Sequence, residues 1–342
     1  MRYDVLVAGA GPVGLACAIE AAQRGLSVAV LDPREGPIDK ACGEGLMPGA
    51  VSALRRLGVV PDGRPFAGIA YVDAKGVARH AFRAGPGLGA RRTALQSALA
   101  ARAAELGVQR VPVRVDSLTQ DDSAVQVAGL TGSWLLACDG LHSTVRHLVG
   151  LDPRAPARHR RYGMRRHVAV APWTDYVEVH WGRAVEAYVT PVASDLVGIA
   201  VLGPPGVPYD EALAGVPTLR DRVQGAAWAT AVRGAGPLRQ RVPARVAGRV
   251  LLVGDAGGYV DALTGEGIRT GLACARAAVE AIVSGRTESY ERDWRRLTRS
   301  YRVLTTTLLT STRPRLVRGH VVTAARILPP VFAAAVESLA GD

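Results

Sequence analysis

Lysine is almost missing from this chain: Lys40 and Lys75 are the only two, so 40 of its 42 basic residues are arginine. Against 30 carboxylates they leave a net charge of +12. The arginines are nevertheless spread along the whole chain, and no zinc-finger spacing or aromatic-rich RNA-reading pattern accompanies them, so no nucleic-acid partner is expected. Cysteine is scarce as well. Cys17, Cys42, Cys138 and Cys274 lie far apart and form no CxxC pair. That supports neither a disulfide framework nor a zinc site and suits a reducing, cytoplasmic setting. Long apolar runs are lacking too: stretches such as Ile327 to Val336 fall short of the ~18 residues a spanning helix needs. The strand-like run that begins at Tyr3 leaves no room for a cleavable leader, so export is not expected.

What remains is a chain of 342 residues, 48% hydrophobic and 21% charged, rich enough in apolar side chains to fold and long enough for two or three units at ~100–200 residues each. Its first segment is a strand, a glycine turn and a helix: Tyr3 to Ala8, then Gly9-Ala-Gly11-Pro12-Val13-Gly14, then an Ala-rich run to Gly25. A second buried strand, Leu26 to Leu31, ends at Asp32. In such a βαβ unit the first glycine permits the tight turn and the second lets backbone approach a diphosphate. The third allows close helix–strand packing. The helix N-terminus offers free N–H groups to the phosphates. Asp32 lies 18 positions beyond Gly14, near the ~20 at which a carboxylate meets a ribose.

Two later apolar runs end the same way. Leu135 to Ala137 leads into Cys138-Asp139-Gly140, and Val250 to Val253 into Gly254-Asp255, each placing an acid beside glycine at a strand terminus. A helix is expected over Thr93 to Leu106 and a strand over Val108 to Val115. Between these βα segments, residues 68–82 and 162–202 alternate with period two and predict an antiparallel sheet packed on one side. On one of its strands Tyr176, Glu178 and His180 share a face, with Val177, Val179 and Trp181 on the other. Residues 286–342 return to helical periodicity.

The stretch Gly254-Asp255 through Leu263-Thr-Gly265-Glu266-Gly267-Ile268, taken with the N-terminal motif and Asp139-Gly140, resembles the glutathione-reductase-type FAD proteins. More narrowly, it resembles the flavin monooxygenase and geranylgeranyl reductase superfamily, over residues 1–285. Lys40-Ala-Cys42-Gly43-Glu44-Gly-Leu46 and Thr264-Gly-Glu-Gly-Ile268 are nearest to the reductase branch. Gly258, Tyr259 and Ala262 depart from the hydroxylase pattern, and the halogenase Trp motif is replaced by Ala187 to Pro191.

The resemblance implies an α/β fold with a Rossmann-like FAD-binding domain (1–66, 88–150, 248–285), an interleaved antiparallel-sheet substrate domain (67–87, 151–247) and a C-terminal helical cap (286–342). It implies FAD held by Gly9, Gly11, Pro12, Val13, Gly14, Asp32, Arg34, Cys42, Gly43, Arg92, Val115, Asp139, Gly140, Asp255, Gly265, Glu266, Gly267 and Ile268. NADH or NADPH would visit transiently, since no second complete dinucleotide motif is present. The leading expectation is an NAD(P)H-consuming monooxygenase that hydroxylates an aromatic or polyketide-like small molecule through a flavin hydroperoxide. The alternatives are a reductase of isoprenoid C=C bonds and a non-catalytic flavin-binding protein.

Three residues are candidates for chemistry. Cys42 is a redox thiol or a packing residue; Glu44 is a proton relay or a solvated loop carboxylate; His180 is a base over a substrate sheet or part of a polar outer face. The Arg-rich, apolar C-terminal segment reads as a cap that can also lie on an anionic bilayer, which would suit a lipid substrate. Oligomeric state is not legible.

Overall fold

The computed structural model describes residues 2–153 and 160–341. Residues 1, 154–159 and 342, which the expected domain boundaries include, lie outside that range. The molecule is an α/β protein built on two large sheets. The first has the order Val246–Ala247, Val250–Leu252, Leu130–Ala137, Arg2–Ala8, Val28–Leu31, Gln109–Val111. The last five strands run parallel. Val5 to Ala8 and Val28 to Leu31 are buried on both faces, as covered parallel sheets require. One face carries the helices Pro12–Ala22, Arg92–Glu105 and Gly267–Val283, whose small and aliphatic side chains complete the core with Val5, Val7 and Leu251.

Register decides where chemistry can occur. Ala8 pairs with Leu31 on one side and Ala137 on the other, and Ala137 with Leu252. The turns that begin at Gly9, Asp32, Cys138 and Val253 therefore leave the same edge of the sheet, the carboxyl edge at which ligands of open α/β sheets bind. Two glycines make the first turn feasible. Gly9 has φ +100°, and a Cβ there would lie 2.7 Å from the Cys138 carbonyl oxygen. A Cβ on Gly14 would lie 1.9 Å from the Gly9 carbonyl oxygen, so the helix can seat against the strand only with hydrogen at that position.

The second sheet has seven strands in the order Arg233–Ala235, Tyr162–Val168, Val197–Gly203, Glu186–Pro191, Tyr176–Trp181, Gly68–Asp73, Gly76–Ala81. Two expectations are corrected here. The sheet is not wholly antiparallel, because Tyr176–Trp181 joins Gly68–Asp73 in parallel; a distant segment enters the sheet without a hairpin, and local alternation carries no sign of direction. Nor is it packed on one side only. Ala187, Val189, Ile199 and Val201 pack against the helices Tyr209–Ala214 and Pro217–Val223. On the opposite face Val177, Val179, Tyr188 and Leu202 join Val322, Phe332 and Leu339 from the C-terminal helices. The strand expected over Val108 to Val115 is also shorter, Gln109–Val111.

The C-terminal segment forms the helices Ser289–Ser311, Arg315–Arg318, Val321–Ile327 and Pro329–Ala340. No single helix is long and apolar enough to cross a membrane among the described residues. The last two helices meet at a bend of 108°. The segment is tied to the sheet at two points: His80 Nε2 lies 2.7 Å from Glu337 Oε1 in the last helix, and Arg318, in the short helix Arg315–Arg318, donates to the buried Glu186 Oε1 at 2.6 Å.

Candidate cofactor and substrate site

The carboxyl edge of the parallel sheet opens into a cavity whose floor is the Gly9–Gly14 turn and whose roof is the inner face of the second sheet. Fourteen of the expected site residues line it: Gly11, Pro12, Val13, Arg34, Cys42, Gly43, Glu44, Arg92, Asp139, Gly140, Asp255, Gly265, Gly267 and Ile268. Gly9 and Gly14 act beneath, by packing. Asp32, Val115, Glu266 and His180 do not line it.

Asp32 ends its strand almost fully buried and accepts from the Ala10 amide at 2.8 Å and from Arg34 Nη2 at 2.7 Å. Burial pushes its pKa up, but the Arg34 fork and the Ala10 amide outweigh that, and the carboxyl is held below its usual range. The charge thus lies one shell behind the cavity wall, with Arg34 in front. Arg92 sits opposite. Its guanidinium approaches the Gly11 turn, Nη2 being 3.9 Å from where a Gly11 Cβ would lie, and its buried Nε has no partner.

Helix Pro12–Ala22 has no side-chain cap, so its first N–H groups face the same place. Uncapped amides, a partnerless guanidinium nitrogen and an open glycine fit a bound diphosphate. Across the cavity Asp255 lies 3.8 Å from Lys40 Nζ, and the uncapped helix Gly267–Val283 begins beside it. Asp139 keeps Oδ1 without a partner, and burial holds its pKa up against Ser143 and Val145.

The loop from Lys40 to Leu46 crosses the middle of the cavity. Cys42 is half-buried, with its Sγ 3.4 Å from the Glu44 amide. Glu44 overturns the solvated reading: it is 3% exposed and adopts φ +60°, a strained conformation for a residue with a Cβ. It accepts from the Arg92 amide at 2.9 Å and from His167 Nε2 at 2.7 Å, with Arg165 Nε at 3.6 Å. Arg165 Nη1 also reaches His167 Nδ1 at 3.2 Å. A guanidinium can only donate, so Nδ1 accepts and Nε2 carries the proton.

Asp39 closes the cluster against Arg165 and Arg233. Burial works against its charge, and the two guanidiniums hold its pKa below the usual range. His167 and Arg165 escaped the sequence reading. Their signal was present, two polar residues at i and i+2 on one face of a strand, but not the loop they meet.

His180 is corrected as well. The strand turns Val177 and Val179 to the cavity, and His180 is buried on the opposite face, 2.9 Å from Glu178 Oε2. Val115 is buried in the core and Glu266 is paired with Arg269. Beyond the loop the cavity becomes apolar, walled by Ile69, Tyr71, Val177, Val179, Leu202 and Leu238. Two tethers set its width. Thr190 Oγ1 donates to the Gly43 carbonyl at 2.7 Å, and the Tyr188 hydroxyl to the Leu263 carbonyl at 2.6 Å. Behind the second, Arg161 is held between Glu186 and Asp261. Burial pushes the Asp261 carboxyl up to about 6, against the pull of Arg161 and with the push of Glu186.

A family model described as an FAD binding domain matches residues 2–200. A menaquinone reductase of Mycolicibacterium smegmatis is 31% identical over 86% of this chain and 79% of its own length. A 12-dehydrotetracycline 5-monooxygenase/anhydrotetracycline 6-monooxygenase of Streptomyces rimosus is 33% identical over 44% of this chain and 33% of its own. Among solved structures, a flavoprotein/dehydrogenase from Cytophaga hutchinsonii superposes with a TM-score of 0.83 at 17% identity, covering 99% of this chain and 92% of that one. The last likeness concerns the fold alone.

Two outcomes follow from this geometry. Asp255→Ala should lose most of its FAD on purification, read as the flavin-to-protein absorbance ratio; full occupancy would remove Asp255 from the cofactor site. Asp261 should oppose folding in a pH-dependent way, since its folded pKa of about 6 lies above the reference 3.8. Well below pH ~4 the carboxyl is neutral in both states, and the cost of its ionisation grows to on the order of 3 kcal/mol above pH ~6. Asp261→Asn should therefore raise Tm much more at pH 8 than at pH 4; an equal shift at both would refute this.

Proposed function

The chain belongs to the FAD-binding-domain family, and on that premise we propose that this FAD-dependent oxidoreductase is a monooxygenase hydroxylating an aromatic molecule with a long apolar part. FAD, when bound, takes two electrons from a nicotinamide and passes them on to oxygen. The observation that carries the reading is the apolar chamber roofed by Val177, Val179 and Leu202 directly beyond the Lys40–Leu46 loop. Oxygen transfer to carbon needs such exclusion of water.

In this reading the N-terminus of Pro12–Ala22 and Arg92 hold the diphosphate, and Asp32 with Arg34 the ribose. Asp255 and Lys40 hold the sugar-alcohol chain, and the amides at Gly267 meet the electron-poor end of the ring. Among the described residues, the apolar walls of the chamber carry tyrosine hydroxyls and no carboxylate or imidazole. The Tyr188 hydroxyl is committed to Leu263, and burial together with the Glu186 charge pushes Tyr71 up to about 12. Substrate is thus held by shape, and the electron-rich ring supplies its own nucleophilicity. His167 Nε2, bonded to Glu44, carries a proton behind the loop, and Nδ1 on the other side of the ring meets Thr230 Oγ1 at 3.1 Å.

A second reading is reduction of an isoprenoid C=C bond, favoured by Cys42-Gly-Glu44-Gly and by the menaquinone reductase relative, which aligns over most of both chains. Oxygen separates the two. Stoichiometric O2 consumption with an oxygenated product is expected, whereas anaerobic turnover to a saturated product would transfer the assignment to the reductase. Substrate-stimulated NAD(P)H oxidation excludes a non-catalytic binder.

The C-terminal elbow supports an apolar substrate delivered from an anionic bilayer. Ile327, Leu328 and Val331 are 72%, 53% and 63% exposed at the bend, with Arg326, which donates to the Lys75 carbonyl, beside them. The inner side of the same helices reaches the chamber through Leu339 and through Phe332, whose ring centroid is 4.9 Å from that of Tyr71. Such a corner inserts shallowly, and each cation near the surface contributes about 1 kcal/mol. Co-sedimentation with anionic vesicles should occur at low salt and vanish at high salt or in Ile327→Glu/Val331→Glu; recovery entirely in the supernatant at low salt would leave the elbow as a cap only.

A further inference from the structure

A second cavity, of about 380 Å³, lies behind the loop that follows Asp255. It is bounded by the segment Arg239 to Arg245, the loop Gly254 to Val260, the start of helix Gly267–Val283 and one side of helix Ser289–Ser311. Asp255, Tyr259 and Gly267 belong to both cavities, so one loop and one helix start separate this chamber from the cofactor site.

Its charge is one-sided. Arg239, Arg241, Arg245 and Arg302 line it, and Asp255 is the sole lining carboxylate. Arg245 is satisfied: it donates to Glu291 Oε1 at 2.9 Å and to the Gly257 carbonyl at 3.0 Å and stacks 3.6 Å over the Trp294 ring. Arg239, Arg241 and Arg302 have no carboxylate within salt-bridge distance among the described residues. Burial, and then the like charges of Arg241 and Arg313, lower the pKa of Arg239.

Arg239 and Arg241 are not on a loose loop. The residue between them is clamped to the cavity wall, since the Gln240 amide donates to the Tyr259 carbonyl at 2.9 Å and the Tyr259 amide to the Gln240 carbonyl at 3.1 Å. Residues two apart on such an extended segment project to the same side. A hydroxyl completes the lining: Thr270 Oγ1 is buried, has no partner and lies in the first turn of helix Gly267–Val283. Arg239 is half-buried while Arg241 and Arg302 reach solvent, and these three unneutralised guanidiniums with the orphaned hydroxyl offer donors from several sides to an anion in the concavity.

We propose that this second cavity binds the phosphate groups of the nicotinamide co-substrate. The inference rests on the oxidoreductase reading in one respect, that a nicotinamide supplies the electrons. It adds the place where that molecule is recognised, in a chain with a single Gly-rich dinucleotide turn. The recognised chemistry is a phosphate ester or diphosphate; a nucleotide, a lipid diphosphate and inorganic pyrophosphate all carry it.

The test uses the FAD-loaded protein and needs no turnover. Calorimetric titration with NADP⁺ should show one site, competed by inorganic pyrophosphate and weakened by salt. Arg239→Gln/Arg241→Gln should weaken NADP⁺ by at least about tenfold with flavin content unchanged and Tm not lowered; Thr270→Val should weaken it less. In turnover the double variant should raise KM for the nicotinamide with kcat preserved. Unchanged NADP⁺ affinity in the double variant overturns the proposal. So does binding of pyrophosphate or a prenyl diphosphate with no competition from NADP⁺, which would assign the cavity to another phosphate. Failure here is distinguishable from failure of the monooxygenase reading. Holoprotein reduced by dithionite and mixed with O2 and substrate tests oxygen transfer with no nicotinamide present.

Discussion

The strand Glu186–Pro191 is the constraint on which the site depends. All six of its residues are buried, and its cavity-facing side chains act as fasteners. Thr190 holds the Gly43 carbonyl, Tyr188 holds the Leu263 carbonyl, and Glu186 anchors Arg161 and through it Asp261. The loops on either side of the cofactor cavity come from opposite ends of the chain, near residues 43 and 263. One strand at the centre of the second sheet sets their separation. Each bond is a neutral or charge-assisted donor to an acceptor away from bulk water, where an unmade bond is expensive, so the spacing is enforced by the penalty of loosening it.

The charged cluster around Glu44 does similar work from the other side. A residue with a Cβ held at φ +60° costs of order 1 kcal/mol or more, and it persists only where the surroundings fix it. Here the surroundings are the Arg92 amide, His167 and Arg165. Glu44 thereby joins three parts of the molecule: the cavity loop, the start of helix Arg92–Glu105 and the strand Tyr162–Val168. Its carboxylate serves as helix cap and as counter-charge to a fully buried guanidinium, two demands that a neutral side chain would leave unmet.

What the sequence made legible was local. The glycine turn, the helix opening at Arg92, the Gly-Asp after a buried strand and the helix at Gly267 are each defined by a few neighbouring residues and lie at the cavity, while Asp32 sits behind its wall with Arg34 in front. The features that escaped are pairings between distant segments. Alternation over 176–181 showed two faces but not which one meets the cavity, and the polar face, the natural guess for catalysis, is the one turned away. Arg165 and His167 were visible as polar residues in a strand. Nothing nearby said that they are buried under a loop more than 120 residues earlier.

The strand order of the first sheet also sets a timetable. Arg2–Ala8 leaves the ribosome first, yet its partner Leu130–Ala137 is made far later and the next strand, Val250–Leu252, later still. At a synthesis rate of ~5–20 residues per second, the opening strand waits roughly 6–26 s for Leu130–Ala137, the neighbour that covers its free edge. During that interval its most apolar segment stands with a bare edge, ready to pair with a neighbouring nascent chain. A sheet wired this way is open to mispairing while it is being made, before the stability of the finished fold can protect it.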